Sequence, residues 1–174
     1  MRKRSLFTAI ATGALLLGVT TPAAAGPSTA NITVLGGVLS ISVQPAAGSL
    51  GTRPNSVTGG TISGSLGQVQ VNDARSAAAG SGWVATAIST AFTPGTGPAI
   101  AASAVGYAAG AITKVGTATF TANDPSDLTA VSPVVTATGI TGDNSATWNP
   151  TITIAVPGGA LAGTYYATIT HSVV

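Results

Sequence analysis

A single histidine and four aspartates are the side chains best suited to acid–base chemistry near neutral pH. His171 is the histidine, and the sequence contains neither glutamate nor cysteine. A histidine base in nucleophilic catalysis needs a nucleophile and an orienting carboxylate. Ser172 adjoins His171, but neighbouring residues of a strand point to opposite faces, and no G-x-S-x-G motif occurs. Other serines leave a triad possible by composition, yet we expect no catalytic residue and place His171 at the margin of the core.

Three of the four aspartates lie in segments typical of turns: Asp124 and Asp127 in "NDPSD" and Asp143 in "GDN". Paired-carboxylate glycosidase chemistry would have to use aspartates alone, and a calcium site usually needs a denser spacing of acidic ligands. One histidine without cysteine offers no transition-metal ligand set. The pattern therefore predicts no metal site and no cofactor.

Asp73 and Arg75 carry opposite charges two residues apart. If the strand that begins before them continues, both side chains lie on one face. An exposed pair of this kind contributes only about 0–1 kcal/mol to stability. We interpret Asp73 and Arg75 as a structural pair.

Four side chains are candidates for binding a ligand. Trp83 follows the flexible "GSG" and opens a strand, where its ring either contacts a ligand or seals the core, and the core is the expected place. Trp148, in "SATWNP", is as compatible with surface binding as with packing. Tyr165 and His171 share one face of the last predicted strand, together with Ala167, Ile169 and Val173. The same alternation places Ile152, Ile154 and Val156 on one face of the strand before it.

Alternating apolar and polar residues predict strands, not helices, after position 26. The candidate strands are "ANITVLGGVLSISVQP" with a break at its two glycines, "QVQV", "WVATAISTAF", "AIAASAVGY", "KVGTATFTA", "TAVSPVVTAT", "TITIAV" and "TYYATITHSVV". The connectors "PGTGP", "NDPSD", "TGDNS" and "PGGALAG" carry turn residues. "SAAAGSG" reads as a loop or one helical turn, and residues 45–67 have no clear pattern. The spacing predicts an all-β fold, an Ig-like antiparallel β-sandwich.

The first 25 residues have the pattern of a secretory signal peptide. Arg2, Lys3 and Arg4 precede the apolar "LFTAIATGALLLGV", and Ala23 and Ala25 occupy the small-residue positions before a cleavage site at Gly26. We therefore expect residues 1–25 to be removed and residues 26–174 to form one exported domain. No membrane span is expected after cleavage, and the predicted location is extracellular, at the cell surface.

The charge of the exported part differs from that of the whole chain. The whole sequence has six basic residues and a pI near 9.4, but after position 25 only Arg53, Arg75 and Lys114 remain against the four aspartates. The resulting net charge of −1 gives no reason to expect nucleic acid as a partner. Because the chain contains no cysteine, burial and backbone hydrogen bonds must hold the exported fold together.

Two stretches carry a resemblance to a known family. "VQVNDARSAAAGSGWVATAISTAF" surrounds Trp83, and "TITIAVPGGALAGTYYATITHSVV" includes Tyr165 and His171. Together they resemble the WxL-domain family of bacterial cell-surface proteins, whose motifs are W-x-L and Y-x-x-x-L-T-W-x-L. Ala85 and His171 stand where those motifs have leucine and tryptophan. The resemblance implies non-covalent attachment to peptidoglycan of Gram-positive bacteria by the domain itself, with the motif aromatics as contacts.

These observations predict a non-catalytic, secreted bacterial cell-surface protein. Its expected partners are a cell-wall polymer or other surface proteins. The alternative is a self-assembling, fibre- or pilus-like subunit that uses strand complementation, with residues 30–34 or residues 164–174 as the donated strand. Low charge favours such self-association, because few lysines would block pairing at the edge strands.

Overall fold

The computed structural model describes residues 30–174, of which Leu35–Val174 form one compact unit. The predicted signal peptide, residues 1–25, lies outside the described residues. Within Leu35–Val174 the chain forms ten strands, one 3-10 turn at Ala102–Ala104 and no α-helix. The strands are β1 (Leu39–Val43), β2 (Gly60–Ser65), β3 (Val69–Ser89), β4 (Thr93–Pro94), β5 (Val105–Ala108), β6 (Thr113–Ala122), β7 (Ser132–Trp148), β8 (Thr151–Val156), β9 (Tyr165–Tyr166) and β10 (Ile169–Val173).

The strands form antiparallel sheets that pack as a sandwich, which confirms the predicted all-β fold. The larger sheet has the order β1-β3-β7-β6, and β10 pairs with the same side of β3 as β1, further along it. The smaller sheet has the order β2-β8-β5, and β4 pairs with β9. One edge of the larger sheet is therefore shared by two short strands, β1 and β10.

The long strand β3 joins two segments that the sequence predicted as separate strands. The intervening "SAAAGSG", predicted as a loop or helical turn, remains paired with β7 through several register shifts. Nine residues separate Asp73 from Trp83, whereas six separate their partners Asn144 and Ala137. Bulges absorb the extra residues, with Ser76 at a φ of +52°. The predicted connector "TGDNS" likewise lies within β7 at this bulge.

The core follows the alternation of the strands. Ile152 and Ile154 of β8 are buried, as their shared parity predicts, and they face the buried side chains of the larger sheet. Trp83 packs against Phe120 of β6 with ring centroids 5.6 Å apart. In the last segment, the predicted inward residues from Tyr165 to Val173 are all less exposed than their neighbours, although Ala167 and Thr168 separate β9 from β10.

The pair of strands predicted in "ANITVLGGVLSISVQP" is not formed. Only β1 is a strand, and residues 30–38 have no strand assignment. Of the unpatterned residues 45–67, positions 60–65 form β2, and the preceding residues are irregular. The glycines at the predicted break approach β3 too closely for larger residues, because a Cβ on Gly37 would lie 2.8 Å from the Cβ of Ala74.

Candidate binding groove

An open groove runs along the flank of the sandwich where both sheets end. It has a volume of about 1020 Å³ and is lined by residues 43–56, by parts of β2 and β8, and by residues 160–169 with His171. Among the described residues, β2 pairs only with β8, and β10 pairs only with β3. We call this feature the flank groove. It is bordered on both sides by strands with an unpaired backbone edge.

The interior of the flank groove is apolar. Ile62 and Leu66 line it from the β2 side, and Phe92, Ile100 and Ile154 line it from deeper in the sandwich. The last three side chains belong to the buried core. The groove is therefore an opening into the space between the sheets, and protein interiors seldom leave space of this size unfilled.

Residues 45–56 cross the inner face of β2 and form one wall. Gly64 permits this crossing, because a Cβ at that position would collide with the backbone carbonyl of Leu50. Arg53 holds the end of the segment: its Nη2 donates to the carbonyl of Gly59 at 2.9 Å, and its Nε donates to that of Pro54 at 3.4 Å. The guanidinium is thus engaged by backbone carbonyls of its own region.

Two adjacent tyrosines lie on the opposite wall. Tyr165 is half-buried, and its hydroxyl donates to the carbonyl of Leu161 at 3.0 Å. Tyr166 is 70 % exposed, and the sequence did not single it out. Its exposure could have been predicted from its position next to Tyr165, because one of two adjacent residues in a strand points outward.

His171 connects the flank groove to the core through Tyr107 and Trp148. Its Nε2 lies 3.2 Å from the hydroxyl of Tyr107, and that hydroxyl accepts a hydrogen bond from Nε1 of Trp148 at 2.8 Å. Burial raises the pKa of Tyr107, so the phenol keeps its proton. Because its oxygen already accepts from Trp148, the natural assignment is that its O–H donates to Nε2 of His171.

This assignment places the histidine proton on Nδ1, which is buried without a hydrogen-bond partner. Leaving a buried polar group unpaired usually costs about 1–3 kcal/mol. Burial also lowers the pKa of His171 below its ordinary value of 6.5. The imidazole is therefore neutral at neutral pH. Tyr107 was not predicted as a partner of His171, because its place in an apolar strand is all that the sequence shows of it.

The lowered pKa of His171 predicts a loss of stability on acidification. As the pH falls below the ordinary value of 6.5, the unfolded chain binds a proton before the folded protein does. The stabilisation is complete above that pH and is lost as the pH falls through the lower pKa of the folded state. Urea unfolding of wild type and His171→Phe between pH 8 and pH 5 measures this loss. We expect the free energy of unfolding to change less steeply with pH in the variant than in the wild type. Equal slopes would contradict it.

Asp73 and Arg75 form an ion pair at the bulge of β3. The carboxylate is fully buried and accepts from Nε and Nη2 of Arg75 at 2.8 and 3.0 Å, and from Nδ2 of Asn144 at 3.2 Å. Nε1 of Trp83 donates to Asn144 at 2.9 Å. The hydrogen bond from Arg75 is the main cause that lowers the pKa of Asp73. The network joins β3 to β7 where the ladder is irregular.

The four candidate binding residues fall into two groups. Trp83 and Trp148 are each 2 % exposed, so neither ring is open to a ligand. For Trp148, which the sequence left open between surface binding and packing, the structure shows packing, because it is the last residue of β7 and its indole donates to Tyr107. Tyr165 and His171 both line the flank groove.

Among the residues that the structure describes, the flank groove offers a binding surface. In residues 30–174, His171 has no hydrogen bond to a serine or an aspartate, and no group of three His, Cys, Asp or Glu side chains is placed to hold a metal. The same residues include no helix with the length and hydropathy of a membrane span. Models of protein families, curated proteins and solved structures contain no match to this chain.

Proposed function

We propose that this chain is a non-catalytic, exported, WxL-like surface protein that associates non-covalently with wall peptidoglycan or with other surface components. The observation that carries the proposal is the flank groove. It is long-walled, apolar and bordered by two unpaired strand edges, so it suits an extended chain better than a compact small molecule. The leader pattern and the resemblance around Trp83 and Tyr165 support a bacterial surface as the setting.

The residues at the groove supply contacts suited to a polymer. Tyr166 offers an exposed aromatic face, on which sugar rings can stack. The edges of β2 and β10 offer backbone N–H and C=O groups, which pair with an extended peptide. Wall peptidoglycan contains both glycan and peptide, and other surface proteins offer extended segments.

A non-catalytic role agrees with how the four aspartates are used. Asp73 pairs with Arg75, and the remaining three accept hydrogen bonds from backbone N–H groups: Asp124 from Ala109, Asp127 from Thr129 and Asp143 from Ser76. Each carboxylate therefore has a structural task. None of them has a hydrogen bond to the only histidine among the residues described.

Co-sedimentation with purified bacterial cell walls tests the proposal. We expect residues 26–174 to bind, and Tyr166→Ala to weaken binding by about tenfold, the equivalent of one lost stacking contact. Val115→Ala is the matched control, because Val115 is 67 % exposed on β6 and lies outside the groove. No binding by the wild type would contradict wall association. Full binding by Tyr166→Ala would contradict the role of the groove in it.

A second candidate, a structural subunit that joins copies by strand complementation, is favoured by a separate observation. Among the residues described, eleven large apolar side chains are exposed, and four of them lie in the short segment before β1: Ile32, Val34, Leu35 and Val38. Such a concentration is typical of a surface that contacts a partner.

A further inference from the structure

We propose that the flank groove holds a β-strand donated by a second copy of this chain, and that residues 31–36 are the donated strand. The assignment rests on the proposed binding role of the groove, because it names the partner for that site. Three sets of observations carry it: the edges of the groove, the chemistry of the segment, and the charge of both.

The edges that border the groove lack the features that usually prevent strand addition. β2 reads "GTISGS" and β10 reads "ITHSV", without lysine, arginine, aspartate or proline in either strand. Natural edge strands are commonly protected by lysine, proline or an inward-pointing charge. Both strands also place an apolar side chain in the groove, Ile62 from β2 and Ile169 from β10. An incoming strand would find unpaired backbone and apolar surface together.

Residues 31–36 have the composition of a strand and form none of the backbone hydrogen bonds found in the described part of the chain, whereas the backbone of Gly37 and Val38 bonds to Ala74 of β3. Ile32, Val34 and Gly36 share one parity, and Asn31, Thr33 and Leu35 have the other. Ile32 is 91 % exposed and Val34 is 82 % exposed. Fully extended, six residues span roughly 20 Å, enough to pair along the five residues of β10 or the six of β2.

The charges favour a peptide strand over an anionic wall polymer. Arg53 is a cation in the lining of the groove, and its guanidinium is already bound by the carbonyls of Pro54 and Gly59. His171, the other basic side chain there, is neutral at neutral pH because burial lowers its pKa. Residues 31–36 carry no charge. An uncharged strand therefore matches the groove, whereas an anionic polymer would meet a single cation there, Arg53, two of whose nitrogens already donate to backbone carbonyls.

Sedimentation velocity of residues 26–174 over a concentration series tests the assignment. We expect the wild type to form oligomers that grow with concentration. Ile32→Asp/Val34→Asp should be a monomer, with a dissociation constant for self-association raised by at least about a hundredfold. At a concentration where both proteins are monomers, its far-UV circular dichroism should match that of the wild type, because both side chains are exposed. Val57→Asp/Val131→Asp is the matched control, because Val57 and Val131 are 94 % and 63 % exposed and lie outside both the segment and the groove.

Two further measurements report on strand pairing itself. Thr33→Pro removes a backbone N–H from the segment and leaves its apolar side chains intact, so it should also yield a monomer. A synthetic peptide of residues 30–38, added to the monomeric double variant, should shift the amide NMR signals of β2 or β10 residues, such as Ile62 or Ile169.

Three results would overturn strand donation. The wild type could be a monomer at millimolar concentration, or the control Val57→Asp/Val131→Asp could weaken self-association as much as Ile32→Asp/Val34→Asp does. The third result is a set of peptide-induced NMR shifts confined to other surfaces. Cell walls that bind the monomeric double variant, and shift the same groove signals, would make a wall polymer the occupant and overturn strand donation while the proposed surface role stands. Oligomers that depend on residues 31–36 but do not bind walls would support strand donation and remove the wall from the proposed function.

Discussion

Replacing Trp83 with alanine is expected to lower the free energy of unfolding by about 3–5 kcal/mol, the usual cost of removing a large buried aromatic side chain. The indole is 2 % exposed, contacts the ring of Phe120, and donates to Asn144 inside the fold. Truncation would leave a cavity and an unpaired amide oxygen. Since domains of this size are stable by about 5–15 kcal/mol in total, the variant should approach the threshold of unfolding. Urea titration followed by the fluorescence of Trp148 measures the change.

Trp83→Phe is the control that separates packing from hydrogen bonding. It keeps an aromatic ring beside Phe120 but loses the bond to Asn144, so we expect a smaller loss, about 1–2 kcal/mol. If Trp83→Ala unfolds at the same urea concentration as the wild type, the indole is not part of the core. The prediction also affects binding experiments, because loss of wall binding in Trp83→Ala would report unfolding. Tyr166→Ala, at an exposed position, tests contact instead.

The fold could be predicted from the sequence to the extent that burial follows local alternation. The pattern in "TITIAV" placed Ile152 and Ile154 inward, and the structure buries both. The last segment behaves in the same way. Alternation is a property of each strand alone, so it survives without any knowledge of the strands that pair with it.

Two of the errors share a physical cause, which is that pairing overrode local propensity. "SAAAGSG" and "TGDNS" are rich in turn residues, yet they lie opposite each other in β3 and β7 and stay extended. Asp143 contributes by accepting hydrogen bonds from the backbone N–H and hydroxyl of Ser76 across the bulge. A contact between residues 67 positions apart cannot be inferred from either segment alone.

The candidate site was only partly accessible from the sequence for a similar reason. Tyr165 and His171 share a strand face, so their proximity to one surface could be predicted. The flank groove itself is defined by β2 and by residues 45–56, whose pattern carries no strand or helix signal. Tyr107, which links His171 to the core, is 64 residues away from it in the sequence. Grooves formed between sheet edges depend on how the sheets end, and that is a property of the whole fold.

Replacing Asp73 with asparagine is expected to lower the free energy of unfolding at neutral pH by about 2–3 kcal/mol. Removing one partner of a buried ion pair commonly costs about 3–5 kcal/mol. The lower value applies because the side chain of Arg75 is 37 % exposed, so water can solvate the cation that loses its partner. In the variant, the new amide group would also face Arg75 and Asn144, whose N–H groups donate to the carboxylate in the wild type.

The effect of Asp73→Asn should depend on pH with a defined sign. Arg75 holds the pKa of Asp73 below its ordinary value of 3.8 in the folded protein. The stabilisation is therefore complete above that pH and is lost as the pH falls through the lower pKa of the folded state. Unfolding measured at pH 7, 5, 4 and 3 should show a constant difference in the free energy of unfolding between wild type and variant at the first two values, and a shrinking one at lower pH.

Asp127→Asn is the matched control, since Asp127 accepts from the exposed backbone of Thr129 and contributes to no buried network. If Asp73→Asn lowers the free energy of unfolding no more than Asp127→Asn does, the ion pair at the bulge does not stabilise the pairing of β3 with β7.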